Sequence, residues 1–98
     1  MDYDEFLVAN ARLVILKELS KWPDGRLNEA DLAIVLDAFA YRRSREWVRT
    51  QLNKMAELGA VSTERRGTVT IATITRAGLD HVERRSVIEG IATPSPEA

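Results

Sequence analysis

The chain contains no cysteine, which excludes disulfides, zinc–thiolate sites and a cysteine nucleophile. Its single histidine, His81, has no serine or paired carboxylate arrangement around it that would make a catalytic set. No glycine-rich phosphate loop and no paired metal ligands are present either. Asp80 and Glu83 beside His81 match a weak metal-site spacing that arises often by chance, so His81 is read as a surface or satisfied core residue. No catalytic residue, metal or cofactor is expected. No apolar run approaches the length of a membrane span, and no membrane partner is expected. Internal repeats are also missing. The start Met1-Asp2-Tyr3-Asp4-Glu5 is acidic where a secretory or mitochondrial leader is basic, which makes a cytoplasmic protein the expectation.

What is present fits one globular domain. A chain of 98 residues buries about 60–65% of its extended surface, enough for one modest core. The net charge of -1 argues against indiscriminate polyanion binding, but it hides an uneven distribution. Residues 1–41 carry four basic and eight acidic side chains; residues 42–54 carry five basic and one acidic. The positive pole therefore lies in one short segment, Arg42 to Lys54.

Hydrophobic spacing gives an element order. Phe6, Leu7, Ala9, Leu13, Ile15, Leu16 and Leu19 predict a first helix from about Asp4 to Trp22, ended by Pro23-Asp24-Gly25. Arg26-Leu27 is a short extended piece. Asn28 is a good N-cap for a second helix running to about Ala40, with Asp31 as its capping-box partner. Ser44 caps a third helix and Gly59 ends it. Trp47, Val48, Leu52, Met55 and Leu58 form that helix's apolar stripe, so Arg45, Arg49, Thr50, Asn53 and Lys54 are expected to face outward. After Gly59 the period becomes alternating. Val61 starts a strand, Arg65-Arg66-Gly67 is expected at a hairpin tip, and Thr68 to Ile74 returns, with Val69 and Ile71 on one face. Thr75 caps a last helix to about Arg85. Phe6, Phe39 and Trp47 are expected in the core. Residues 86–98 are expected as an extended or disordered tail outside the domain 1–85.

Helix, short strand, helix, helix, strand, wing, strand, helix is the order of a winged helix-turn-helix, an α+β fold. Leu58-Gly59-Ala60-Val61 resembles the join between recognition helix and first wing strand in small regulators of the ArsR and MarR type. Ile74-Thr75-Arg76-Ala77-Gly78-Leu79 resembles the opening of their following helix. The chain as a whole is similar to small winged-helix proteins of Mu-like prophages, through Asp2 to Leu7, Arg12 to Leu16, Leu27-Asn28-Glu29 and Pro94-Ser95-Pro96. The resemblance implies a phage or prophage transcriptional regulator. It implies no metal sensing, because the cysteine and histidine clusters of such sensors are absent.

A helix presenting Arg, Thr, Asn and Lys carries the groups that bond phosphates and base edges. The expected DNA-binding residues are Arg42, Arg43, Ser44, Arg45, Arg49, Thr50, Asn53 and Lys54 on or before the third helix, with Arg65 and Arg66 on the wing. Blander readings stand beside these. The helix face is a solvated surface, the wing arginines keep a hairpin from aggregating, and Arg42 and Arg43 pair with Asp37. Arg49 is expected on the open face, so that Arg49→Ala weakens DNA binding more than folding. The expected partner is double-stranded DNA, bound by a homodimer through surplus apolar surface near Tyr3 and Phe6. The alternative is a winged-helix adaptor that binds a phage or host protein and no DNA.

Overall fold

The computed structural model describes residues 2–96. Asp2 caps the first helix, α1 (Tyr3–Ser20), by accepting from the Glu5 amide at 2.8 Å. Ile15, Leu16 and Leu19 on its inner side are fully buried. β1 (Arg26–Asn28) follows, and Asn28 is at once its last residue and the N-cap of α2 (Glu29–Ala38). Ser44 caps α3 (Arg45–Glu57) through the Trp47 amide. β2 (Val61–Arg66), β3 (Val69–Ile74) and α4 (Arg76–Val82) complete the order. Four helices and a three-stranded antiparallel sheet make an α+β fold, in an order compatible with a winged helix.

β3 is the central strand, with β1 and β2 at its edges. The registers Leu27↔Ala72 and Arg65↔Thr70 fix which side chains share a face. The buried phase of β3 is Thr70 and Ala72, so Val69 and Ile71 share the outer face. The larger apolar pair thus lies outside because the helices pack closely against the small residues. The core joins α1 to Leu32 and Leu36 of α2, Val48, Leu52 and Met55 of α3, and Ala60, Val61 and Ala72 of the sheet region. Each fully buried leucine contributes about 2 kcal/mol.

Three expectations need correction. First, Arg65 and Arg66 lie within β2, and the tip is Gly67-Thr68. Gly67 takes φ +61° and Thr68 does not take positive φ, the pattern of a two-residue II′ turn that matches strand twist. Second, Phe6 and Phe39 are more than half exposed instead of in the core, and Trp47 is half-buried. Phe39 follows the end of α2 on a turn that continues to Ala40 (φ 70°), which carries it off the inward stripe. Third, residues 86–96 pack onto the domain. The Ala92 amide donates to Ala9 O at 3.0 Å, Arg12 donates to Gly90 O, and Ile91 is buried. His81 organises this return. The Ile88 amide donates to Nδ1, which leaves the ring proton on Nε2 to donate to Ala92 O, both at 2.9 Å. His81 is therefore a satisfied core residue.

The join between α3, the sheet and α4 explains the threonine-x-x-glycine pattern. The Thr75 hydroxyl donates to the Gly59 and Ala60 carbonyls and accepts from the Gly78 amide. A Cβ on Gly78 would stand 2.2 Å from Ala60 O. Gly78→Ala is expected to lower stability by about 2–3 kcal/mol, as overpacking against rigid backbone does. A urea midpoint equal to wild type would show that α4 moves away from Ala60 without penalty.

Candidate functional site

Glu29, the first residue of α2, has its side chain fully buried. A buried carboxylate is tolerable only when paired and hydrogen-bonded. Arg49 provides a bidentate pair, Nε to Oε1 at 3.1 Å and Nη2 to Oε2 at 2.7 Å. The Thr70 amide of β3 donates to Oε1 at 2.6 Å. Arg45 Nε stands 3.5 Å from Oε2, and Arg65 Nη1 stands 3.7 Å from Oε1. One carboxylate thus gathers α2, α3, β2 and β3, and three arginines surround it.

The Arg49 hydrogen bonds hold the Glu29 carboxyl down to about 2, against the upward push of burial, with further help from the Thr70 amide and the charges of Arg49 and Arg45. The same bonds raise Arg49 further.

The expected site residues divide. Arg45 and Arg65 have side chains 45% and 53% exposed. Arg65 is oriented by donating from Nη1 to Thr70 Oγ1 at 3.0 Å. Arg49 is corrected from the open face: its side chain is 32% exposed and two of its donors are engaged by Glu29. Arg66 is separated from Arg65, because neighbours on a strand point to opposite faces. It bonds Glu64 Oε2 at 2.6 Å, and Arg26 reaches the same carboxylate. Arg42 is ion-paired with Asp37 at 3.8 Å, the bland reading of that residue. Arg43 stacks over the Trp47 ring at 5.0 Å and pairs with no carboxylate among the described residues. The Ser44 oxygen is occupied as the α3 cap. Thr50 is exposed and its hydroxyl donates to Glu46 O; Asn53 is exposed. Lys54 stands 3.6 Å from Glu57, near the far end of α3, nine residues and about 13 Å along the axis from Arg45.

Glu29, Thr70 and Gln51 were not among the expected site residues. Gln51 is buried and accepts from Arg12 Nε at 2.9 Å, which ties α3 to α1. The signal for Glu29 lies in its spacing. Glu29, Leu32 and Leu36 fall at i, i+3 and i+7, so the carboxylate sits on the buried stripe of α2 and requires a cationic partner. Gln51 likewise lies between Val48 and Leu52 on the stripe of α3. Among the described residues no cluster of His, Asp and Glu suits a metal ion. No helix among the described residues is long and apolar enough to cross a membrane.

No known family profile matches the chain. Over 95 residues it is 34% identical to a protein of Escherichia phage Mu described as "Uncharacterized protein gp26", across 97% of this chain and 98% of that protein.

Arg49→Ala strands a buried charge and is expected to destabilise by about 3 kcal/mol, the lower end for a broken buried pair. Arg45→Ala, which removes a half-exposed cation that makes no hydrogen bond to Glu29, is expected to cost under about 1 kcal/mol. Equal urea midpoints for the two variants would contradict this division. The pH dependence has a defined sign. Because folding depresses the Glu29 pKa, its stabilisation is complete above the ordinary value of 4.5 and is lost as pH falls toward about 2. The deficit of Glu29→Gln relative to wild type should therefore shrink between pH 7 and pH 3. A constant deficit would show that the carboxylate's charge plays no part.

Proposed function

The chain belongs to the family of the phage Mu protein gp26, and we propose that this member is a small winged-helix protein that binds duplex DNA as a phage transcriptional regulator. In this reading α2 and α3 form the helix-turn-helix, α3 enters the major groove, and the β2–β3 hairpin is the wing against the adjacent backbone. The observation that carries it is the gathering of Arg45, Arg49 and Arg65 around one carboxylate. It gives helix and hairpin a common face with surplus positive charge in a chain whose net charge is -1. Thr50 and Asn53, exposed on α3, supply groups that bond base edges.

A homodimer belongs to this reading, since one copy offers few cations and two half-sites multiply affinity. Tyr3, 72% exposed, and Phe39 line one cleft beside α1, and Phe6 and Val87 line another. This apolar surface also favours a second reading, an adaptor that docks a phage or host protein there and binds no DNA.

Fluorescence anisotropy of the full chain against a labelled random-sequence duplex, titrated over salt, tests the proposal. Arg42, Arg43, Arg45, Lys54 and Arg65 are the expected cations that make no hydrogen bond to a carboxylate. Four phosphate contacts among them predict a log–log salt slope of about -3.5 per copy. No binding at low salt with tens of micromolar protein would overturn the DNA reading. Capture of a protein partner through α1 would then support the adaptor.

A further inference from the structure

We propose that Glu29 is the positioning residue of a phosphate clamp, in which its buried carboxylate draws Arg45 to one oxygen and Arg65 to the other so that the two guanidiniums bracket one backbone phosphate. The clamp rests on the duplex-DNA reading and specifies how that face would take its ligand.

A guanidinium has five N–H donors. Arg49 gives two to Glu29, and the Thr70 amide adds a third bond to the same carboxylate. Arg45 and Arg65 approach to 3.5 and 3.7 Å, close enough for attraction, but form no hydrogen bond with it. Arg45 therefore keeps its donors, and Arg65 uses one on Thr70 Oγ1. Both remain about half exposed.

Three guanidiniums against one carboxylate leave a surplus of two positive charges at the meeting of α3 and β2. Glu29 is fully buried beneath Arg49, so its charge orders the arginines from below without meeting solvent or ligand. The acidic groups that face this cluster are Glu29 itself and the exposed Glu46 of the first α3 turn. Glu64 of the neighbouring strand position points to the other face and is held by Arg66 and Arg26. Arg45 approaches Oε2 and Arg65 approaches Oε1, so they flank the carboxylate from two different elements. A tetrahedral oxyanion seated between them satisfies donors that neither element alone would aim at one point. Because a phosphate carries no base identity, the clamp sets register and affinity and leaves base choice to the exposed groups further along α3.

The test uses the full chain, a labelled random-sequence duplex and thermal melts of every variant. Arg45→Ala and Arg65→Ala should fold as wild type, and each should weaken binding across sequences and flatten the salt slope by about one unit. Glu29→Gln removes a negative charge from a DNA-binding face, so simple charge attraction predicts tighter binding. The clamp predicts weaker binding and a flatter slope, because the arginines lose their anchor. A folded Glu29→Gln that binds as tightly as wild type or tighter overturns the clamp. If Glu29→Gln is unfolded at the assay temperature, the arginine variants decide. Wild-type affinity and slope in either of them overturns the clamp while the DNA reading stands. Absence of binding by the wild-type chain removes the DNA reading and the clamp together. The salt slope separates positioning from mere destabilisation, since a smaller folded fraction lowers apparent affinity and leaves the slope unchanged.

Discussion

The pairing of buried Glu29 with Arg49 and the Thr70 amide is the interaction on which the arrangement of the outer face depends. A carboxylate at the first position of a helix is ordinarily a surface group that complements the helix dipole. Here the residue lies on the inward stripe, and its desolvation has to be offset locally. The partners come from α3 and β3, so the same bonds that make burial tolerable also fix the angle between α2 and α3 and seat the hairpin against both. Weak packing would let these elements slide; a bidentate, charge-assisted pair does not.

Much of the fold was legible because it follows from local chemistry. Asn28, Ser44 and Thr75 each cap the helix expected of them, and Gly67 turns the hairpin. These signals need only a few neighbouring residues. Several of the misread positions depended on distant partners. Arg49 looked solvated because its helix position borders the apolar stripe, and only Glu29, twenty residues earlier, turns it inward. Arg65 and Arg66 looked equivalent as neighbours, yet strand pleating sends them to opposite faces. Phe6 and Phe39 were assigned to the core by their helical spacing, although they lie near helix ends and small residues such as Ala11, Ala60 and Ala72 take fully buried places. Residues 86–96 have little periodicity, since their order comes from bonds to Ala9, Arg12 and His81.

The charge pattern gains meaning from these pairings. Counted along the chain, residues 42–54 look strongly basic; in three dimensions Arg49 is hydrogen-bonded to Glu29, while Arg42 and Lys54 stand 3.8 and 3.6 Å from Asp37 and Glu57. What remains is a compact positive centre where α3 meets β2. Under the proposed DNA reading, a small centre of this kind would contact the polyanion at defined points and not along its length, in keeping with a near-neutral chain.

The return of residues 86–96 onto α1 joins sequence-distant parts of the molecule: Arg12 and Gly90, which it bonds, are 78 residues apart. Closing so long a loop is entropically the least favourable contact until the rest of the fold has brought its ends together. By that cost the Ala9–Ala92 and Arg12–Gly90 bonds are expected to form late, after the local bonds of His81 to Ile88 and Ala92. Once formed, they bind the two outer segments to each other, so neither can fray without uncovering its partner. The outermost pieces of the fold thereby share in a single cooperative transition instead of loosening one at a time.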